Sequence, residues 1–369
     1  MSLRGTAVTA RVGTALGVAV AICFITGLIS HLIQHPQPWF FWPTRPVWLY
    51  RLTQGLHVIS GIAAIPLVVV KLWSVWPKLF ERPVIGGLTR QLERLSILVL
   101  VGAILFELST GLLNIAQWYA FDFFFTTAHY AMAYLAAGAV LVHVAVKLPV
   151  IRRALGESPD REAGTAPRDV TAGPTRRTVL RATWLAVALA TAATAGQSVG
   201  FLRRASVLAP RSGQGPQGVP VNRSAIAAGV LRSATSPDYH LTVMSGAVVR
   251  TFSVAELAAL PQTTRRLPIA CVEGWSVGAD WTGVVLADLI ATVGGAPDSD
   301  VRMISLEPPG PYSRTVLPAR HARDSATLIA LRLNGEPLDL DHGYPCRLIA
   351  PSRPGVLQTK WLSRIEVVR

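Results

Sequence analysis

The chain has 369 residues and a formal net charge of +14, with 51% apolar and only 15% charged residues. Soluble globular domains carry about a quarter charged residues, so a wholly soluble protein is excluded and part of this chain belongs in lipid. The basic excess does not mark a nucleic-acid binder, because Lys and Arg stand at the ends of apolar runs rather than in a stripe with interleaved aromatics.

Five apolar segments fill the first 205 residues, at about 12–33, 53–73, 95–118, 127–150 and 183–202. Each is close to the ~20 residues that cross a bilayer as a helix. If the five alternate, Arg4, Arg11, Lys78, Arg82, Arg90, Arg94, Lys147, Arg152, Arg153, Arg176, Arg177 and Arg181 all fall on one side, which the positive-inside rule makes cytoplasmic. Trp39, Trp42, Trp48, Trp118, Tyr119 and Phe123–Phe125 fall on the other side as an interfacial belt. The expected organisation is a four-helix membrane domain over 1–153, a cytoplasmic linker over 154–180, a fifth helix over 181–204 and a soluble domain over 218–369. The location is then a bacterial inner membrane, with the C-terminal domain on the extracytoplasmic side. Within the linker, Thr175-Arg176-Arg177-Thr178 resembles a twin-arginine export signal placed directly before an apolar helix. The plainer reading is a pair of topogenic arginines.

Three histidines stand inside the apolar segments: His57 in the second, His129 and His143 in the fourth. Polar side chains in lipid are costly and mark function. His129 and His143 are fourteen residues apart, which puts them within ~40° of one helix face and about 21 Å apart along the axis. His31 and His35 lie near the outer end of the first segment and are weaker candidates. Hydrogen bonding between helices is the plainer use of all of them.

From about residue 218 the composition becomes that of a soluble β-rich α+β domain. Strand-like runs at 239–243, 247–252, 301–306, 328–333 and 347–349 alternate with Gly- and Pro-bearing turns, and helical patches stand at 254–260 and 284–292. The three cysteines, Cys23, Cys271 and Cys346, are too few and too scattered for a disulfide framework. Cys271 ends a strand-like run and enters a turn, Cys271-Val272-Glu273-Gly274-Trp275-Ser276, which can present a thiolate to a pocket; burial as a small apolar side chain is the alternative.

This turn, followed by Trp281 and Gly283, resembles the cofactor segment of the sulfite-oxidase superfamily. The resemblance continues through Leu333-Asn334-Gly335-Glu336-Pro337-Leu338, then His342-Gly343-Tyr344-Pro345-Cys346-Arg347-Leu348, then Lys360-Trp361-Leu362, and covers about 218–369. It implies a molybdenum–molybdopterin cofactor with Cys271 as catalytic thiolate ligand to the metal. Arg347 and Lys360 would hold the pterin phosphate, His342 would bond the pterin, and Gln358 and Thr359 would lend the phosphate their backbone. Asn222 and Ser305 are further implied contacts. The sulfite oxidases proper follow the cysteine with a Gly-Asn-Arg-type run, whereas Val272-Glu273-Gly274-Trp275-Ser276 is more similar to the catalytic subunit of the periplasmic methionine-sulfoxide reductase.

A metal centre that cycles by two electrons needs a one-electron partner. The histidine spacing resembles that of di-haem cytochrome b subunits, so a b-type haem ligated by His57 and by His129 or His143 is expected. The leading expectation is therefore an enzyme that transfers an oxygen atom on a small substrate and exchanges electrons with a quinone pool. The alternatives are a plain anchor without haem, and a non-catalytic binding or assembly module that keeps the fold.

Overall fold

The structure is a computed structural model, and it describes residues 3–79, 87–119, 121–156, 175–209, 215–296 and 298–368. Arg82 and most of the expected linker, 157–174, lie outside these residues. The chain divides into two compact units: Met1–Ile29 with Gly55–Pro210, and Ser30–Gln54 with Arg211–Arg369.

Five helices account for the first unit: α1 (Thr6–Gln34), α2 (Leu49–Leu79), α3 (Leu88–Ala116), α4 (Phe125–Gly156) and α5 (Arg176–Thr194). Among the described residues, four are long and apolar enough to cross a membrane, α1 to α4. Large apolar side chains such as Val69, Leu98 and Leu141 point outward from them, as lipid-facing residues do. Val8 and Val12 of α1 pack against Leu67 of α2 and Leu180 of α5, and the Lys71 ammonium bonds the Thr9 carbonyl at 3.0 Å.

The expected count of five spans becomes four by length and composition. The fifth segment begins as a helix at Arg176, so three arginines occupy its first two turns, and it ends at Thr194 before two short 3₁₀ turns. Thr175 caps it, accepting from the Thr178 amide at 3.2 Å. Two arginines at a helix N-terminus oppose the helix dipole, so they are not there to stabilise the helix.

The second unit holds two five-stranded sheets. Its elements are α6 (Leu231–Ala234), β1 (Leu241–Ser245), β2 (Val248–Phe252), α7 (Val254–Ala259), β3 (Thr263–Ala270), β4 (Ser276–Val285), α8 (Leu286–Ala291), β5 (Asp300–Ser305), β6 (Arg314–Leu317), α9 (Ala319–Ala322), β7 (Leu328–Leu333), β8 (Glu336–Pro337), β9 (Arg347–Ile349) and β10 (Leu362–Val368). The first sheet runs β2-β1-β10-β5-β6; the second runs β3-β4-β7-β8, with β9 also on β7. β10 pairs in parallel with β1 and antiparallel with β5, which places it in the middle of the first sheet. Leu241, Met303, Ile365, Ile329 and Leu348 meet in one buried cluster that joins the two sheets.

The β-rich α+β expectation describes this unit, with one local difference. The stretch between the Cys271 turn and the helical patch at 284–292 carried no strand expectation. There β4 pairs antiparallel with β3 from Ala270↔Ser276 to Thr263↔Gly283. Two glycines and Asp280 dilute the β-propensity of this strand, and pairing on both edges, to β3 and β7, overrides it.

Residues 30–54 pack within this second unit. The Trp42 indole donates to the Ser352 carbonyl at 2.8 Å, Arg45 pairs with Asp324 at 2.8 Å, and Val47 packs on the cluster that contains Cys271. The Tyr50 hydroxyl, buried, donates to Gln54 Oε1 at 3.3 Å, and the Gln54 amide reaches the Val272 carbonyl at 3.4 Å. Trp42, placed in the interfacial belt by its sequence context, thus has a partner in the C-terminal domain.

Candidate active site

Cys271 stands at the tip of the β3–β4 hairpin. Its amide donates to the Trp275 carbonyl at 2.9 Å, and the Gly274 amide donates back to the Cys271 carbonyl at 3.1 Å. Gly274 closes the turn at φ +90°, a region that favours glycine. The Trp275 indole donates to Glu273 at 3.1 Å, which engages both side chains within the turn. Pro354 bridges to Ala270, and Gly355 packs against the backbone at Cys271.

The cysteine lines a cleft of about 610 Å³ together with Asn222, His342, Arg347, Gln358, Thr359 and Lys360. Seven of the eight residues that the family resemblance proposes therefore meet in one cavity. Ser305 is not on its wall. It sits behind Lys360, donating to that residue's carbonyl at 2.9 Å and accepting from the Glu307 amide at 3.1 Å.

The wall is cationic. Arg347, 3% exposed, donates to the carbonyls of His342 and Gln358 at 3.0 Å each, so it ties two cleft loops together. Three of its five N–H donors face backbone oxygens, the third at 3.4 Å, which leaves two. The Lys360 ammonium donates to the carbonyls of Asp341 and Arg223, and an ammonium has a third donor to offer the cleft it lines. His342 is held by the Pro216 carbonyl at 2.8 Å, and burial pulls it down to about 4, so it is neutral near pH 7. Gly343, at φ +107°, lets Lys360 and Arg347 approach, since a Cβ there would sit 3.0–3.1 Å from both side chains. Two buried cations without a carboxylate in bonding contact, beside a soft thiol, fit a cofactor that brings an anionic group and a thiophilic metal.

Burial, and then the nearby Arg347, pull Lys360 down to about 7. The unfolded chain keeps this amine protonated to about pH 10.4. Between those values the unfolded state binds more protons, so stability rises with pH. The cofactor-free protein is expected to gain roughly 1 kcal/mol per pH unit between pH 7 and 8.5. Lys360→Met should flatten this part of a melting-temperature profile; an unchanged slope in the variant would assign it to another group.

Sequence reasoning missed three residues of the cleft. Arg223 pairs with Glu307 at 3.0 Å, and both line it. Tyr312 lines it as well, and burial followed by the charge of Cys271 holds its phenol above the ordinary value. Arg223 directly follows Asn222 and was within reach; Glu307 and Tyr312 lie in an irregular Pro-rich loop with no readable period.

In the first unit the rings of His57 and His129 lie 6.2 Å apart, centre to centre. His57 Nδ1 is held by the Cys23 carbonyl at 3.0 Å, which leaves Nε2 for a ligand, the pattern of metal-binding histidines. His129 has Thr110 at 2.8 Å on Nδ1 and Glu107 at 3.1 Å on Nε2, so a metal would have to displace one of them. Glu107, an acid in the middle of an apolar helix, was the unread signal here. His143 lies about 21 Å along α4 from His129 and is not in this pair. Nε2 of His57 could thus meet a metal, whereas both ring nitrogens of His129 are engaged.

The thiol and the two buried cations thus share one cleft. Residues 228–369, less than half of the chain, match the family described as "Oxidoreductase molybdopterin binding domain", which supports a molybdopterin-type oxidoreductase domain in this part of the chain. The mitochondrial sulfite oxidase of Drosophila melanogaster is 32% identical over 156 residues, 35% of this chain and 27% of that protein. The nitrate reductase [NADH] of Ulva prolifera is 30% identical over 161 residues, 35% of this chain and 18% of that protein. The solved sulfane dehydrogenase SoxCD of Paracoccus pantotrophus aligns with 35% of this chain and 38% of its own at 24% identity, with a TM-score of 0.32. The chain spans less than a third of the length of the two curated relatives.

Proposed function

We propose that the protein is a membrane-bound, molybdopterin-dependent oxidoreductase that transfers an oxygen atom on a small substrate and exchanges electrons with the membrane. The observation that carries the reading is Cys271 at a hairpin tip in the same cleft as Arg347 and Lys360. Cys271 is the thiolate ligand; Arg347 and Lys360 offer their remaining donors to the cofactor phosphate; Gln358, Thr359 and Asn222 shape the pterin walls. Ser305 acts at one remove, by fixing the backbone of Lys360. When bound, the metal supplies the two-electron oxygen-atom transfer.

A substrate less charged than sulfite is favoured. The turn carries Trp275 locked to Glu273 where the sulfite oxidases proper have an arginine, and Arg223, the nearby cation, is already paired with Glu307. A small oxidised neutral molecule, such as a sulfoxide, suits this balance, and the similarity to the methionine-sulfoxide reductase run points the same way. Metal analysis and turnover with sulfoxides against sulfite on one detergent-purified sample test the reading. Protein that binds neither molybdenum nor a pterin when expressed with cofactor supply would end it.

Electrons are proposed to pass through one b-type haem between α2 and α4. The rings of His57 and His129, edge to face with their centres 6.2 Å apart, support this, with Glu107 giving way at His129. His57→Leu should remove haem absorption bands without lowering molybdenum content. Wild-type protein that carries molybdenum but shows no such bands would make the helices a plain anchor.

The C-terminal domain is proposed to lie outside the cytoplasm, with α5 and the turns after it, to about residue 204, as a fifth crossing. Replacing Arg176 and Arg177 by Lys keeps the charge and removes a twin-arginine signal. It should strand the domain, and a reporter after Arg369, inside. Unchanged export would leave the arginines a purely topogenic role.

A further inference from the structure

The segment 36–48 lies against a group of side chains that the cleft does not use. Arg320 and His321 stand on α9, and Arg353 follows Ser352, whose backbone holds a left-handed φ of 54°. His321 and Arg353 are 3% and 4% exposed. Both ring nitrogens of His321, Nε of Arg320 and Nε of Arg353 are buried without a hydrogen-bond partner. Arg353 donates from Nη2 to the Val316 carbonyl at 3.2 Å, and the Arg320 guanidinium lies 4.6 Å from the centre of the Phe41 ring.

Among the described residues, the charges that bear on His321 are those of Arg353 and Arg320, and Arg320 bears on Arg353; no carboxylate is among them. The acid closest in sequence, Asp324, is already committed to Arg45 at 2.8 Å and to the Ala326 amide at 2.9 Å. More than nine buried polar groups in ten have a partner, and a buried guanidinium without a counter-charge is among the costliest exceptions. His321, kept neutral by burial and the two guanidinium groups, has one N–H to give; that donor and the Nε–H groups of Arg320 and Arg353 are three donors that one anion can serve.

We propose that Arg320, His321 and Arg353 form a binding site for a small tetrahedral oxyanion, inorganic phosphate or sulfate, separate from the cofactor cleft, whose wall includes none of the three. Donors from three separate side chains match oxygens that point in several directions, whereas one planar carboxylate is satisfied by a single arginine fork. The segment 36–48 is the cover. Phe41 sits on Arg320, and Trp42 grips Ser352, the residue before Arg353. With the cover down these nitrogens have no access to solvent, so the anion enters before the cover closes or when it lifts.

The test uses the full-length, cofactor-loaded protein in detergent, incubated with phosphate, sulfate or chloride at matched ionic strength. Phosphate and sulfate should raise the melting midpoint saturably, by ~5 °C, and chloride should not. Arg353→Met should abolish the rise while leaving molybdenum content unchanged. If that variant does not fold, Arg320→Gln, altered at a partly exposed position, should weaken the half-saturating concentration by ~10-fold. Equal midpoints in all three salts overturn the proposal. So does a phosphate response undiminished in the variants, which marks general salt stabilisation.

Discussion

Cys271→Ser is expected to lose activity by more than about 100-fold, the upper end of the range seen when only an outer-shell partner of a metal ligand is removed. The fold should stand. The turn is closed by the Cys271 amide and carbonyl, which serine keeps, and Gly274 takes the left-handed conformation. A hydroxyl replaces a soft, ionisable thiol with a hard, poorly ionised one. The cations proposed to hold the phosphate are untouched, so the pterin should remain while the metal's absorption changes. Wild-type turnover in the serine variant would show that Cys271 is only a buried apolar side chain.

Arg347→Met is expected to act on both stability and cofactor loading. The guanidinium joins the His342 and Gln358 carbonyls and lies over Trp281, 5.1 Å from the ring centre to Cζ. Methionine fills much of the volume but leaves two buried carbonyls without a donor, at about 1–3 kcal/mol each. Offset by the relief of desolvating a charge, the net loss is about 3 kcal/mol, or roughly 6–12 °C in melting temperature for a domain of this size. Pterin content should fall with it. Arg347→Lys should recover the charge but not the fork, so it separates electrostatic attraction from the tie between loops. A melting temperature unmoved in both variants would refute the bracing role.

The strands at 328–333 and 347–349 were legible because they are apolar, short and bounded by turns. The cleft residues were legible only as a motif. Nothing in the local sequence says that His342 faces Pro216 or that Lys360 reaches the carbonyl of Arg223; the two sheets bring them together. β4 was hidden because its pairing partners, not its composition, make it a strand. α5 was placed too late along the chain, at 183–202 instead of Arg176–Thr194, because an average over an apolar run starts after the three arginines that are folded into the helix itself. Trp42 shows a different limit: an aromatic beside an apolar helix reads as a membrane anchor until its partner, Ser352, is known.

That partner is 310 residues away, and Asp324 is 279 residues from Arg45. At a synthesis rate of about 5–20 residues per second, segment 36–48 leaves the ribosome roughly 15–60 s before the strands it will cover. These contacts close the longest loops in the chain, so they form late. A fragment that starts after residue 210 would therefore be born without its cover, with Val47's apolar seat and the Arg320–Arg353 group bare to water. Seen from the ribosome, a stretch made early, between α1 and α2, is the last piece of the C-terminal unit to be fitted.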